Sequence, residues 1–525
     1  MLSSRRLPAL LGLLVIVIVA GVVFALTRSS GPPHGRASVK RAALPARPDI
    51  VFVLTDDLSM NLLRFMPHVQ AMELDGMSFE NYFVSDSLCC PSRASIFTGD
   101  FPHDTGVFSN FGPGGGFNAF YKRGDERRTF PIALQRVGYV TALMGKFLNG
   151  YLETKGHAAD GQITSVPAGY VPPGFTDWDV AGWGYPEFNY TLNQNGKLKR
   201  YGHKPSDYLT DVIAHDGVQF IDSAARSDKP FFLELATFAP HSPYTPAPQD
   251  AHDFPDLEAP RPPSFDVLPT HAPLWLAGHA RLTGKQIAKI NVAFRKRAQA
   301  VQAVDRMIGA IEETLAADGI ARDTYLIFSS DNGLHTGEYR LMPGKLTAFD
   351  TDIHVPLVVV GPGVPAGSTT SAMAENIDLA KTFTAIGGTT IRSDGHSLLG
   401  VMHGDGLAGW RNAILVEHHG GLMSPFDPDF QQTPSGNPTT YEAMRTSRFL
   451  YVEYDDGERE FYDLQIDPFE LHNISGELTR KQLARLHAEL GRLKRCHGGR
   501  KCWAAMHVAP APRISSARKA HNPSA

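Results

Sequence analysis

A doubly wound α/β sheet sandwiched by helices, with a smaller C-terminal antiparallel subdomain, is the fold that this 525-residue sequence predicts. Three observations predict it. Short apolar runs alternate with stretches of helical period through most of the chain. Several of those runs are continuous rather than alternating, as strands covered by helices on both faces must be. Near residue 411 the pattern changes to closely spaced short strands.

In chain order, residues 7–27 carry no charge, follow Arg5 and Arg6, and stop at Arg28. The run is long enough to span a bilayer and longer than the usual core of a secretory leader. Both an uncleaved anchor with the main domain outside and a cleaved signal peptide fit residues 1–28. The start Ser4-Arg5-Arg6 hints at twin-arginine export. The polar, Pro/Gly-rich residues 29–47 read as a linker. Either reading of the leader makes the protein exported, secreted or membrane-anchored.

Apolar runs at 50–54, 139–144, 231–236, 325–328 and 357–360 read as buried parallel strands. Between them Leu209, Val212, Ile213, Val218 and Ile221 share one helix face. Ile290, Phe294, Val301, Val304, Ile308, Ile311 and Leu315 share another, on a helix that stops near Gly319. From residue 411 onward, 414–417, 446–453 and 459–464 read as antiparallel strands. A basic helix carrying Leu483, Leu486, Leu490 and Leu493 follows. The resulting division is a large domain at 48–410, a subdomain at 411–505 and a flexible basic tail at 506–525. Stretches 112–124 and 167–201 read as long irregular loops.

Composition narrows the function. With 50 basic and 54 acidic residues the net charge is −4, and 42% of residues are hydrophobic. This excludes a mostly disordered, collagen-like or polytopic membrane chain, and argues against nucleic acid as a partner. The 49 glycines and 38 prolines argue against a helix bundle. Residues 480–525 hold eleven Lys or Arg against one Glu. Attraction to a polyanion and a merely solvated surface both account for that bias. Cys496 and Cys502, in a Gly-containing basic loop, suit a disulfide in an oxidising compartment. Cys89 and Cys90 are adjacent, where a mutual bond would be strained.

Four of the predicted strands deliver polar groups just past their carboxyl ends: Asp56 and Asp57, Lys146, His241, and Asp331 with Asn332. Open α/β sheets place ligand sites at that edge. Asp56, Asp57, Asp331 and Asn332 offer only hard oxygen ligands, a set for Ca²⁺ or Mg²⁺ rather than zinc. Arg93, Lys146 and Lys345 can neutralise an anion, and His241 can donate a proton.

The sharpest local signal is Cys89-Cys90-Pro91-Ser92-Arg93, continuing to Thr98-Gly99. Pro91 suits a first helical turn, which puts Cys89 at a helix N-terminus. This Cys-x-Pro-Ser-Arg…Thr-Gly pattern resembles the signature of the type I sulfatases. Further likenesses to the N-acetylglucosamine-6-sulfatases and extracellular heparan sulfatases are the Gly145-Lys-Phe-Leu-Asn-Gly150, Ala239-Pro-His-Ser-Pro243 and Ser330-Asp-Asn-Gly-Leu-His-Thr-Gly-Glu338 stretches.

The resemblance implies an alkaline-phosphatase-like fold over nearly the whole chain after residue 48. It also implies hydrolysis of a sulfate monoester on a sulfated sugar or glycosaminoglycan. One Ca²⁺, with Mg²⁺ as the alternative, would be held by Asp56, Asp57, Asp331, Asn332 and the residue at 89. A maturation enzyme would convert Cys89 to formylglycine (3-oxoalanine). In the mechanism the resemblance implies, one hydroxyl of its hydrate would attack sulfur as the alcohol departs, and loss of a proton from the other would expel sulfate and restore the aldehyde. Arg93, Lys146 and Lys345 are the implied charge-neutralising residues, and His241 protonates the leaving alkoxide or holds a sulfate oxygen. A two-zinc phosphatase of the same superfamily would carry Asp-His where this chain has Asp331-Asn332.

Many sulfatases have Lys-x-His where this chain has Lys146-Phe147-Leu148-Asn149. Asn149 can hydrogen-bond but cannot act as a base. His335 is a candidate to activate the hydrate, with substrate contact and plain structure as its other readings. A phosphonate or phosphate ester hydrolase, and a glycan-binding envelope protein that retains the Cys89 thiol, are the competing functions. Asn189-Tyr-Thr191 and Asn473-Ile-Ser475 match glycosylation acceptors.

Overall fold

The strand at Asp49–Thr55 reads Asp-Ile-Val-Phe-Val-Leu-Thr, and its apolar side chains are buried on both faces. Ile50, Phe52 and Leu54 enter one apolar cluster, and Val51 and Val53 enter another. A strand with two buried faces must be covered by helices on both. The computed structural model describes residues 47–112, 114–152, 166–421, 427–430 and 435–513. The expected leader at 1–28, the anchoring segment 7–27 within it, most of the linker and the tail after 513 lie outside them. Among the described residues no helix is long and apolar enough to cross a membrane.

The central sheet takes ten strands in chain order: β1 (Asp49–Thr55), β2 (Met77–Phe79), β3 (Val140–Lys146), β4 (Asp177–Ala181), β5 (Thr191–Gln194), β6 (Lys197–Arg200), β7 (Phe231–Ala236), β8 (Thr324–Ser330), β9 (Leu357–Val360) and β10 (Ser368–Thr370). Their spatial order is β10-β2-β9-β8-β1-β7-β3-β4-β5-β6. The run β8-β1-β7-β3-β4 is parallel. Thr55 stands beside Ser330, and both Leu54 and Gly145 stand beside Ala236. The polar groups that follow β1, β3, β7 and β8 therefore emerge along one edge.

The helices fall on the two faces. On one, α1 (Pro67–Asp75), α3 (Leu209–Ala225) and α4 (Gly284–Ala317) cover β1 and its neighbours through Val69, Ile213, Phe294 and Val301. On the other lie α2 (Cys89–Thr98) and α5 (Asp378–Ile386). Phe383 of α5 packs 5.2 Å from the Phe52 ring and 5.3 Å from that of Phe232. Helix α4 starts at a reciprocal cap in which Gln286 N donates to Thr283 Oγ1 at 3.3 Å and Thr283 N to Gln286 Oε1 at 2.9 Å.

The C-terminal sheet is antiparallel: β11 (Ala413–His418), β12 (Tyr441–Thr446), β13 (Phe449–Tyr454) and β14 (Arg459–Asp463). Ile414, Val416, Ala443 and Val452 join the same apolar cluster as β1. Leu415, Met444 and Tyr451 on the opposite face pack against Leu486, Leu490 and Leu493 of α6 (Arg480–Leu493). Cys496 and Cys502 are joined by a disulfide, whereas Cys89 and Cys90 are free and buried.

Four expectations need correction. Strand β9 is buried but antiparallel to β8. A parallel return needs a crossover along the sheet, usually a helix, and only one helical turn, Asp350–Ile353, stands between these strands. The run 446–453 is not one strand: β12 ends and β13 begins inside it, as a hairpin. The stretches read as loops contain a helix at Gly116–Arg123 and the strands β4, β5 and β6. Asn473 is buried, and its amide accepts from Phe461 N and Ser475 N and donates to His271 O and Arg459 O, which leaves no room for a glycan.

Candidate active site

Just past β1 the chain turns sharply. Asp57 adopts a left-handed φ of 63°. A non-glycine residue pays roughly 1–2 kcal/mol for that conformation, least for Asp and Asn. The surroundings hold it there. Arg297 of α4, fully buried, donates to the Asp57 carbonyl and to Ser59 Oγ, and Asp57 N donates to Asp331 Oδ1 at 3.2 Å. The turn aims both Asp56 and Asp57 inward, beside the Asp331-Asn332 pair that β8 delivers.

Helix α2 points its N-terminus at the same place, and Cys89 is its first residue. All ten residues of α2 are buried, so its orientation is fixed by packing on every side. Cys89 Sγ donates to Asp56 Oδ1 at 3.0 Å and lies 2.9 Å from Lys345 Nζ. Burial, followed by Asp331, Asp429 and Asp56, pushes this thiol well above its ordinary value, so it stays protonated. Arg93 lies one turn further on, with its Nη2 buried and unpartnered. Its Nε pairs with Asp331 Oδ2 at 2.7 Å and its Nη1 donates to Lys146 O at 3.0 Å, with both partners buried.

Lys146 closes β3 and reaches Asp56 Oδ2 at 2.6 Å. Gly145 before it has φ 104°, and a Cβ there would stand 1.9 Å from the Ala236 carbonyl oxygen. Only glycine lets β3 and β7 approach this closely and still present the lysine. Lys345, from the loop between β8 and β9, lies 2.7 Å from Asp57 Oδ1 and 2.7 Å from Asp429 Oδ1. Burial alone would lower it, but Asp429 and Asp57 outweigh burial and hold it well above its ordinary value.

His241 follows β7. Its Nδ1 lies 2.7 Å from Ser242 O, and its Nε2 lies 2.7 Å from Asp429 Oδ1 and 3.5 Å from Asp57 Oδ2. Burial lowers its pKa, but Asp57, Asp56 and Asp429 outweigh burial and raise it to about 9. The Tyr185 ring lies 4.5 Å from the imidazole and 4.9 Å from Lys146 Nζ.

These groups are close enough together to hold a metal ion. Ligand atoms of Asp56, Asp57, Cys89 and His241 lie within 4.8 Å of one another. Asn332 donates its amide NH₂ to Asp57 Oδ1 at 2.6 Å, yet its own Oδ1 is buried with no hydrogen-bond partner. An acceptor left without a donor is unfavourable unless a positive charge faces it.

The structure thus brings Asp56, Asp57, Cys89, Arg93, Lys146, His241, Asp331, Asn332 and Lys345 together. Asn149 lies nearby, donating to Tyr185 Oη at 2.9 Å, with its Oδ1 buried and unpartnered. His335 is committed elsewhere. Its Nδ1 meets both Asp352 oxygens at 3.0 Å and its Nε2 meets Ser435 O at 3.0 Å, so neither ring nitrogen is open to a substrate.

Sequence reasoning missed Asp429, Asn110 and Tyr185. Asp429 belongs to the connection between β11 and β12, and its carboxylate also accepts from Asn110 Nδ2 at 2.6 Å. Burial raises its pKa, but Lys345 and His241 outweigh burial and hold it well below the usual carboxylate range. A cavity of about 420 Å³ opens onto Asp57, His241, Tyr244 and Asp429.

A family model described as Sulfatase matches residues 48–389, and one described as N-sulphoglucosamine sulphohydrolase, C-terminal, matches residues 337–496. An N-acetylglucosamine-6-sulfatase from Capra hircus is 35% identical over 484 residues, covering 86% of this chain and 84% of that protein. The Homo sapiens protein of that name is 33% identical over 528 residues, covering 94% and 91%. A solved structure in complex with its substrate, D-glucosamine-2-N,6-O-disulfate, superposes with TM-score 0.68 at 23% identity, covering 85% of this chain and 97% of that one. A phosphonate monoester hydrolase of Agrobacterium radiobacter shares the fold with TM-score 0.64 at 19% identity, covering 85% and 96%.

Proposed function

This chain belongs to the sulfatase family and is a sulfuric ester hydrolase, and from that premise we propose that it removes sulfate from a sulfated sugar through a formylglycine made from Cys89 and one Ca²⁺. The observation that carries this reading is the place of Cys89. It is the first residue of a buried helix, 3.0 Å from a strand-end carboxylate and 2.9 Å from a lysine.

Asp56, Asp57, Asp331 and Asn332 would hold the cation, with Mg²⁺ as the alternative, and Asn332 Oδ1 would gain the positive charge it now lacks. When present, the formylglycine supplies the nucleophile and the cation supplies charge against the sulfate oxygens. The chain's own residues do the rest. Lys146 and Lys345 neutralise the sulfate as the ester bond breaks. Arg93 positions Asp331 and the Lys146 backbone. His241, whose Nε2 lies 2.7 Å from Asp429 Oδ1, delivers a proton from Nε2 to the departing alkoxide. Asn149 and Tyr185 set the orientation of the side chains on the β3 side of the site. His335 braces the turn that carries Lys345, through Asp352 and the Thr347 hydroxyl that donates to it at 2.6 Å.

The substrate class is proposed from the relatives. The glucosamine-6-sulfatases and an extracellular sulfatase homolog of Drosophila melanogaster, 30% identical over 80% of this chain, favour a sulfated amino sugar or glycosaminoglycan and an exported enzyme. Maturation of Cys89 by a formylglycine-generating enzyme belongs to the same reading. The deciding experiment assays the purified, matured protein on glucosamine 6-sulfate, an aryl sulfate and a phenylphosphonate ester. Sulfate esters are expected to turn over at least a hundredfold faster, and faster phosphonate turnover would refute the assignment.

A further inference from the structure

The donors that the reaction needs for sulfate already hold an anion of the protein's own. Asp429 lies at Asp427-Pro428-Asp429-Phe430, within the connection between β11 and β12. Its side chain is 2% exposed. Oδ1 faces His241 Nε2 at 2.7 Å and Lys345 Nζ at 2.7 Å. Oδ2 faces Asn110 Nδ2 at 2.6 Å and Cys89 Sγ at 3.5 Å. Three of those four groups are the nucleophile position, the lysine proposed above to neutralise the sulfate and the histidine proposed to protonate the departing alkoxide.

The stretch has a distinctive position. Asp427 lines a cavity of about 650 Å³ together with Leu88, Phe108, Phe111 and His419. Pro428, Asp429 and Phe430 line the 420 Å³ cavity that reaches His241 and Asp57. The stretch therefore contributes to the lining of both cavities. The stretch is in neither a helix nor a strand. Asp427 Oδ1 accepts from Asp429 N at 2.9 Å and from Asn110 Nδ2 at 3.1 Å, which orients the arm toward the site.

A sulfate monoester and a carboxylate cannot share these donors. Both are anions that take hydrogen bonds from cationic N–H groups, and in a buried site their repulsion is poorly screened. We infer that Asp429 is an internal occupant of the sulfate subsite, displaced from His241 and Lys345 by the incoming sulfate ester. The inference rests on the sulfatase reading, because it takes His241 and Lys345 as groups that meet the sulfate ester, one at its bridging oxygen and one at the sulfate. No bond is made or broken in the exchange. One anion leaves the donors and another takes them.

The consequence is weakened binding of every anion that uses the subsite, product included. A protein whose competent form is only fractionally populated binds its ligand more weakly by that fraction. Removing the internal carboxylate removes that competition.

The test measures inorganic sulfate binding by calorimetry, with Ca²⁺ present, on the wild-type full chain and on Asp429→Ala and Asp427→Ala. Asp429→Ala is expected to bind sulfate at least tenfold more tightly. Asp427→Ala, which only loosens the arm, is expected to bind it a few-fold more tightly. In the matured enzyme, KM for a sulfate ester and Ki for inorganic sulfate should fall together in Asp429→Ala. Unchanged or weaker sulfate binding in a folded Asp429→Ala protein would overturn the inference. So would a raised KM, which marks a substrate contact, or a tenfold loss of Ca²⁺ affinity, which marks a cation ligand. If Asp429→Ala fails to fold, Asp427→Ala decides alone. Sulfate-ester turnover by the wild-type enzyme tests the underlying reading separately, so an active enzyme with unchanged sulfate affinity sinks only the displaced carboxylate.

Discussion

Two sets of carboxylates meet in this site, and they are held in different ways. Asp56, Asp57 and Asp331 follow paired parallel strands, with Thr55 beside Ser330 in the sheet and Arg297 clamped on the Asp57 carbonyl. Asp429 comes from a connection outside the regular elements and meets the site through His241, Lys345 and Asn110. The first set is anchored by the strand ends it follows. The second can leave by exchanging hydrogen-bond partners. A site proposed to hold a cation permanently and an ester transiently needs one half of each kind.

The comparison is tested most severely at the sheet-held half. Cys89→Ala is expected to lower sulfate-ester turnover by more than ~10³-fold while thermal unfolding and calcium binding stay close to wild type. Full turnover by that variant would break the assignment. Asp331→Ala removes the partner of a fully buried guanidinium, so a loss of about 3–5 kcal/mol is expected in denaturant unfolding, together with weaker calcium binding. If Asp429→Ala costs as much stability as Asp331→Ala, the contrast between the two halves fails.

The histidines sharpen the same contrast on a smaller scale. His241 faces the 420 Å³ cavity, whereas His335 is locked between Asp352 and Ser435 O. His241→Asn is expected to reduce kcat by about a hundredfold or more, as loss of a general acid does, and most for substrates with poor leaving groups. His335→Asn should act on stability instead, by about 1–3 kcal/mol.

The pH dependence of that last effect has a definite sign. Burial lowers the His335 pKa, but Asp352 outweighs it and raises the value above the ordinary 6.5. Protonation therefore favours the folded state. The contribution is complete below the unfolded histidine value and fades as pH rises through the raised folded one. The gap in melting temperature between wild type and His335→Asn should be wider at pH 6 than at pH 9. An equal gap at both would mean that the pair carries no charge.

The sheet-held half was legible because strand ends impose order on sequence. A continuous apolar run followed at once by Asp-Asp or Asp-Asn places those groups at the sheet edge whatever the rest of the chain does. Lys345 was read from its likeness to a family pattern, since it lies in a loop with no periodicity. Asp429 had no such signal. Asp427-Pro-Asp reads as an ordinary turn, and only the tertiary path of the connection between β11 and β12 brings it 2.7 Å from His241. The antiparallel return of β9 was hidden for a related reason, because a buried apolar run has no direction until its neighbours are known. His335 shows the converse case, because, of its three readings, the hydrogen bonds favour the structural one. A histidine within a chemistry-bearing stretch invites a functional reading, and its two acceptors, Asp352 and the Ser435 carbonyl, are not adjacent to it in sequence.

The central claim, that position 89 acts as an oxidised side chain and not as a thiol, is tested most directly by mass spectrometry of the tryptic peptide 65–93. Formylglycine occupancy at residue 89 is measured across preparations matured to different extents and set against the specific activity of each on one sulfate ester. The account predicts a straight line through the origin, with Cys90 unmodified throughout. Undiminished hydrolysis by protein whose Cys89 is still a thiol would contradict it.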